Sequence, residues 1–366
     1  AGQLLVIDDA RAHAYFAWES VDRILSERIE QEPADPTSAV TLADLAARQG
    51  RFDRLHRAIE QARAAILAPQ DAASADDRLR AERAETQRAR LVALLTSFVH
   101  DRIARPAGEP PRALIPPEHA TRMLESAREL ARTAPEQALC AIMLAEDRQR
   151  AGRSAEAAEL LQSILLDDRL STCTLPAPLP GGRADAEATA RLVALLRTAG
   201  RGVYDAFDAA AQNERTALGP TPDARSLERL GARFPVSRLA PALYLAAADA
   251  HRQNSRSRAE ARALEAGLRA GARLPDAPPA DIAELNGRLI ANLRARGLIA
   301  AAAAVARRAG STGLTLDGRN LDIPSLLAEL NAGPARAWPV ISAPSITAAP
   351  QILAGWIFQE PLILPI

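Results

Sequence analysis

The chain contains no lysine: all 45 of its Lys and Arg positions are arginine, set against 45 Asp and Glu. A protein without lysine forms no lysine Schiff base and completes no Walker A phosphate loop, so those enzyme classes fall away. Aromatic residues make up 3% of the chain while apolar residues make up 48%. A core so poor in rings is built from alanine and leucine, which suits closely approaching helices better than a large β-sandwich. The two cysteines, Cys140 and Cys173, are too few for a disulfide framework or a CxxC-type zinc site. Cys140 falls in a helical apolar run and reads as a buried thiol, and Cys173 lies just outside a helix. A single bridge between them is left open.

The charges balance and alternate along 78–90 and 256–269, the pattern of solvated helix faces laced with i,i+4 ion pairs. Nucleic-acid binding would call for a one-sided basic stripe with interleaved aromatics, and neither is present, so no nucleic-acid partner is expected. His13, His56, His100, His119 and His251 stand far apart with no HExxH pattern, and surface or helix-end roles are expected of them rather than metal binding. The adjacent acids Asp8-Asp9, Asp76-Asp77 and Asp167-Asp168 read as caps and solvated turns, because neighbours on a helix face different ways. GxSxG, GxGxxG and EF-hand patterns are missing. The sequence therefore names no catalytic, cofactor-binding or metal-binding residue, and a non-enzyme without a cofactor is expected.

What is present is a recurring phrase: small apolar residues, Gly-Arg or a near equivalent, then alanine again. It runs from Leu42, Leu45 and Ala46 to Gly50-Arg51-Phe52, from Ile142 and Ala145 to Gly152-Arg153 and Ala157, and from Leu192, Leu195 and Leu196 to Gly200-Arg201. Looser copies run from Leu245 and Ala246 to Asn254-Ser255-Arg256 and from Leu285 to Arg296-Gly297. Such phrases describe helical hairpins that cannot bury their apolar faces alone and so stack on one another. The glycine supplies the left-handed turn, with Asn254 as the expected substitute at the fourth copy. Ala46, Ala58, Ala145, Ala157, Ala246 and Ala263 are expected at the close helix contacts. Ala157→Trp should accordingly cost about 1–3 kcal/mol by overpacking, read as a lowered melting temperature.

Leu42, Leu45, Gly50, Phe52 and Ala58, and again Ala138, Ile142, Ala145, Gly152 and Ala157, resemble tetratricopeptide repeats, over 36–67 and 118–310, although turns near 50, 152, 200, 254 and 297 are not spaced at a fixed period. The resemblance implies an irregular tetratricopeptide-like α-solenoid: a mainly α fold of helical hairpins with short β segments at both termini. Gly2 to Asp8, followed by aromatics to Trp18, is similar to a closing strand of a pyrroloquinoline-quinone-type β-propeller blade. Together the parts look like large bacterial propeller/solenoid proteins, including membrane-coat-like ones. That likeness implies a protein–protein interaction scaffold, binding other proteins or copies of itself. The alternatives are an accessory domain of a ligand-binding propeller and a peripheral membrane module.

Along the chain, a terminal β strand is expected over 1–9 and helical hairpins over 10–104, beginning with a helix from Ala10 to Gln31. A linker with five prolines (106, 110, 111, 116 and 117) spans 105–117, the repeat array 118–310, and a hairpin, a short helix and an apolar strand-rich tail 311–366. A helix over 154–166 is expected to open on an incomplete capping box at Ser154. Asp317-Gly318 supplies the turn of the late hairpin. Residues 338–366 carry one charge, Glu360, and Pro339, Pro344, Pro350, Pro361 and Pro365 break them into pieces too short to cross a membrane as a helix. With Ala at position 1, a segment processed or excised from a longer chain is expected. The compartment stays open, with a periplasmic or membrane-peripheral one ahead of the cytoplasm.

Overall fold

The computed structural model describes residues 3–8, 11–16, 18–68, 75–103, 115–179, 181–274, 276–310, 313–316 and 318–332. Two strands come first, β1 (Gln3–Asp8) and β2 (Arg11–Phe16), paired antiparallel with Asp8 opposite Arg11 and Gln3 opposite Phe16. The helix expected from Ala10 therefore begins only at Trp18. Between 11 and 16, Arg, His and Tyr alternate with Ala, Ala and Phe, a period of two that fits a strand.

The rest is mainly α. The first helices are α1 (Trp18–Gln31), α2 (Thr37–Arg48), α3 (Phe52–Leu67) and α4 (Ala75–Ile103). After 104–114 come α5 (Pro117–Leu130), α6 (Ala134–Arg150), α7 (Ser154–Leu166), the single turn α8 (Asp168–Ser171) and α9 (Ala184–Ala199). A 3-10 turn, Arg201–Tyr204, leads to α10 (Asp205–Ala217), α11 (Ala224–Arg233), α12 (Ala240–Gln253), α13 (Ser257–Arg273), α14 (Pro279–Ala295) and α15 (Ile299–Ala309). The described part closes with the hairpin β3 (Thr315–Leu316) and β4 (Arg319–Asn320) and with α16 (Ile323–Ala332). The apolar tail and the strands expected of it lie outside the described residues.

Helices next to each other in sequence pack together: α1 on α2, α2 on α3, α6 on α7, and so on through α15 on α16, with second neighbours such as α2 and α4, α4 and α6, and α12 and α14 also touching. In α3, Leu55, Ala58, Ile59, Ala62 and Ile66 are buried, the three-and-four spacing of a helix with one face on its neighbours. Ala46, Ala58, Ala145, Ala157 and Ala263 are all buried at such contacts. Ala246 is only partly buried, and Ala247 takes the inward position beside it.

Four connections share one geometry. In α2–α3 the N–H of Arg51 donates to Ala46 O (3.0 Å) and that of Gly50 to Ala47 O (3.1 Å). The same pair of bonds recurs at Arg153 and Gly152 in α6–α7, at Arg256 and Ser255 in α12–α13, and at Leu298 and Gly297 in α14–α15. This is the Schellman arrangement, whose C′ residue must be left-handed. Gly50, Gly152 and Gly297 satisfy it with φ of 69°, 75° and 74°. At the α12–α13 turn it is Ser255 that is left-handed (φ 57°), whereas Asn254 stays right-handed at φ −91°, one position short of the bend. Replacing Ser255 by glycine removes the Cβ clash of a left-handed L-residue, so Ser255→Gly should raise stability by about 0.5–1 kcal/mol despite glycine's larger unfolded-state entropy, seen as a higher melting temperature.

The Gly200 copy behaves differently. Gly200 (φ 83°, ψ 170°) is itself the last helix-flanking residue, and the chain leaves it extended into the 3-10 turn. Its helix, α9, packs instead on α7 and α6. Ser154 is the first residue of α7 and not its cap; Arg153 occupies that place without a side-chain bond. The complete capping box sits one hairpin arm earlier, at Thr133 and Glu136 on α6.

Two apolar cores form in series. The first runs from Ile29 through Leu196 and Tyr204 and also takes in Val236 and Leu274, and the second is built from other residues between Ala211 and Leu330. The first core continues past the proline-rich 105–117 stretch, since α4 packs on both α5 and α6. The break between cores falls near α10 and α11 instead, where buried Gln162 of α7 donates to Arg233 O (2.7 Å) and accepts from the Tyr204 hydroxyl (2.6 Å).

Candidate interaction surfaces

Arg88 on α4 shows how charge alternation can mislead. Within 78–90 it is buried, and its guanidinium grips Glu136 of α6 with both forks (2.9 and 3.0 Å), Glu85 (2.9 Å) and the carbonyl of Leu130 (2.7 Å). Glu136 also accepts from the Thr133 and Arg132 amides, so one carboxylate both caps α6 and receives α4. Burial alone would raise the Glu136 carboxyl; the bonds from Arg88 and those two amides outweigh it and hold the carboxyl below its usual range.

The histidines separate by environment. His56 of α3 and His119 of α5, far apart in sequence, meet across the helix contact at 2.8 Å between ring nitrogens, and Phe52 stacks on His119 at 4.8 Å. Partial burial, with His119 and Arg122 nearby, holds His56 below its ordinary value of 6.5. The unfolded chain therefore binds this proton more tightly, so the contribution of a neutral His56 is complete above about pH 6.5 and is lost as the pH falls through the folded-state value. Urea midpoints of the wild-type protein should drop more steeply from pH 7.5 to pH 5.5 than those of His56→Gln, which keeps a polar partner but cannot titrate. Parallel pH profiles would show that the pair does not couple folding to pH.

His251 of α12 faces Glu228 of α11 at 2.9 Å, and His100 lies partly buried on α4. Among the described residues no three His, Cys, Asp or Glu side chains come together as a metal site. Cys140 and Cys173 are both free thiols, and burial pushes Cys140 up to about 12, far from the thiolate that reactivity requires. Asp167 accepts from the Arg169 and Leu170 amides and so caps α8. No described helix is long and apolar enough to cross a membrane.

A groove of about 940 Å³ lies among the described residues at the ends of α11, α12 and α13. Its acids are engaged: Glu228 with His251, Asp249 with Arg252 and Arg288, and Asp223 with the Ser226 amide and hydroxyl that it caps. Its arginines Arg225, Arg256 and Arg262 are exposed and make no ion pair or guanidinium hydrogen bond with any described residue. Pairing along 256–269 is therefore partial: Arg269 pairs with Glu265 (3.9 Å), whereas Glu260 is turned inward and accepts from Asn292 (2.7 Å). Sequence reading missed the groove, since its charges come from separate helices. No family model matches the chain, and no curated protein matches it.

Proposed function

We propose that the chain is a non-catalytic protein–protein interaction scaffold, an irregular tetratricopeptide-like array whose partners are other proteins or copies of itself. The observation that carries this reading is the repetition of one α-hairpin corner at Gly50, Gly152, Ser255 and Gly297, with each hairpin packed on helices next to it in sequence. Serial packing of this kind leaves long helix faces and hairpin ends uncovered, which is the surface that repeat proteins use for binding. The paired β1 and β2 ahead of α1 favour a second reading, an accessory domain that transmits position for a ligand-binding propeller. Affinity capture with the whole chain as bait, combined with sedimentation, separates the two. Saturable capture of a defined protein, or self-assembly, supports the scaffold; neither of these, with ligand binding found only when propeller blades are attached, supports the accessory role.

A further inference from the structure

We infer that the α11–α13 groove receives the acidic α1 segment of a second copy of this chain. The inference rests on the scaffold reading and names the occupant of one of its surfaces. On one side stand Arg225, Arg256 and Arg262, three exposed guanidinium groups at one groove that form no ion pair with a described residue. On the other, residues 19–35 hold Glu19, Asp22, Glu27, Glu30, Glu32 and Asp35 against only Arg23 and Arg28. Asp22 pairs with Arg54, Glu27 with Arg23, and Asp35 holds the start of α2, while Glu19, Glu30 and Glu32 stay exposed and unpaired. Glu19 and Glu30 are eleven residues apart, about three helical turns, and therefore share one stripe of α1.

Ile24 of α1 is also 51% exposed, on a neighbouring face about 120° around the helix from Glu30. The groove wall supplies small apolar partners in Ala224, Ala246, Ala250 and Ala259. A polyphosphate backbone fits the groove poorly, because Asp223, Glu228 and Asp249 line it and no Phe, Tyr or Trp is present for base stacking. Discrete carboxylates on a helix can reach the arginine forks between those acids. Within one chain, α1 packs on α2 in the first core, whereas the groove belongs to the second. The contact is therefore heterologous, one surface of a copy against a different surface of the next, and it continues from copy to copy unless the rotation closes a ring.

Sedimentation velocity of the whole chain over a range of concentrations, at 50 mM and 500 mM salt, tests this. Association that grows with concentration and weakens at high salt is expected. Arg256→Glu/Arg262→Glu and Glu30→Arg/Glu32→Arg should each weaken self-association by about a hundredfold or more, through like charges facing each other. Mixing the two double variants should restore it, because each then meets an oppositely charged surface on the other. Circular dichroism confirms that both variants are folded, and the mixing result depends on the interface alone. A monomeric wild-type chain at low salt, or a mixture that stays monomeric, overturns the inference. So does a groove that binds an acidic segment of another protein while the chain itself stays monomeric, an outcome that leaves the scaffold reading standing.

Discussion

Arg88→Ala should destabilise the protein by about 3–5 kcal/mol, because it strands a carboxylate that folding has taken out of water. Arg88 is 1% exposed, and removing it leaves both the Glu136 carboxylate and the Leu130 carbonyl without their strongest donor. The partner change Glu136→Gln is expected to cost less by itself, since an amide oxygen still accepts from the Thr133 and Arg132 amides. Combined with Arg88→Met, it should recover much of the loss of Arg88→Met alone, since no isolated charge remains. Urea midpoints for the wild type, both single variants and the double variant measure the coupling directly. Additive losses would mean that the two side chains act independently. The same clamp sets the acid limit: with the folded-state Glu136 carboxyl below its ordinary 4.5, its contribution is complete above that pH and disappears as the pH falls further. Arg88→Met should flatten this acid limb.

Gly287→Ala should cost about 3 kcal/mol or more, the upper range of overpacking, although it adds one methyl group. A Cβ there would lie 2.0 Å from the carbonyl oxygen of Thr315 and 2.7 Å from its carbon. Both atoms are backbone, so neither can swing aside; β3 and β4 must lift from α14. Gly271 makes the contrast, since its added methyl meets the Cδ1 end of Ile282, a side chain that can change rotamer. Gly152 makes another, with open space around it and only its φ of 75° to strain. Gly152→Ala should cost about 1–2 kcal/mol. Guanidinium unfolding of the three variants ranks them, and equal losses would show that α14 does not hold the hairpin through this contact.

The α character of the chain could be read from its alanine and leucine periodicity, because each helix buries one face on neighbours that the same periodicity also defines. The Asp317-Gly318 hairpin was legible from turn chemistry, and Thr315–Leu316 does pair with Arg319–Asn320. The dipeptide Gly-Arg was a weaker guide. In the recurring phrase it stands at 50, 152 and 200, yet the Schellman corner forms at the first two and at Ser255 and Gly297. The corner depends on whether the residue after the left-handed one can reach a carbonyl in the last turn, and that is a property of where the helix stops. The start of α1 was misplaced because Ala14, four residues before Trp18, continues the three-and-four spacing of α1 while it also fits the alternation of a strand.

Surface features were the least legible. His56 meets His119 and Arg88 meets Glu136 across helix contacts, and spacing along a chain does not show which side chains a fold brings face to face. One signal was present and passed over: Thr133-Ala134-Pro135-Glu136 is a Thr-x-x-Glu capping sequence with proline in the first turn, which fixes the start of α6 and places Glu136 where Arg88 finds it. The spare arginines of the groove had no such signal: Arg256 loses its i,i+4 acid because Glu260 turns inward to Asn292, and Arg225 comes from a different helix.

Native-state hydrogen exchange on Gly287→Ala tests most directly whether stability here is carried between successive hairpins and divided between two cores. Faster exchange is expected in α14, α15 and α16, with α2, α3, α6 and α7 protected as in the wild type, since those helices belong to the other core. An equal loss of protection in α2 and α14 would contradict it and would mean that the chain folds around one indivisible core.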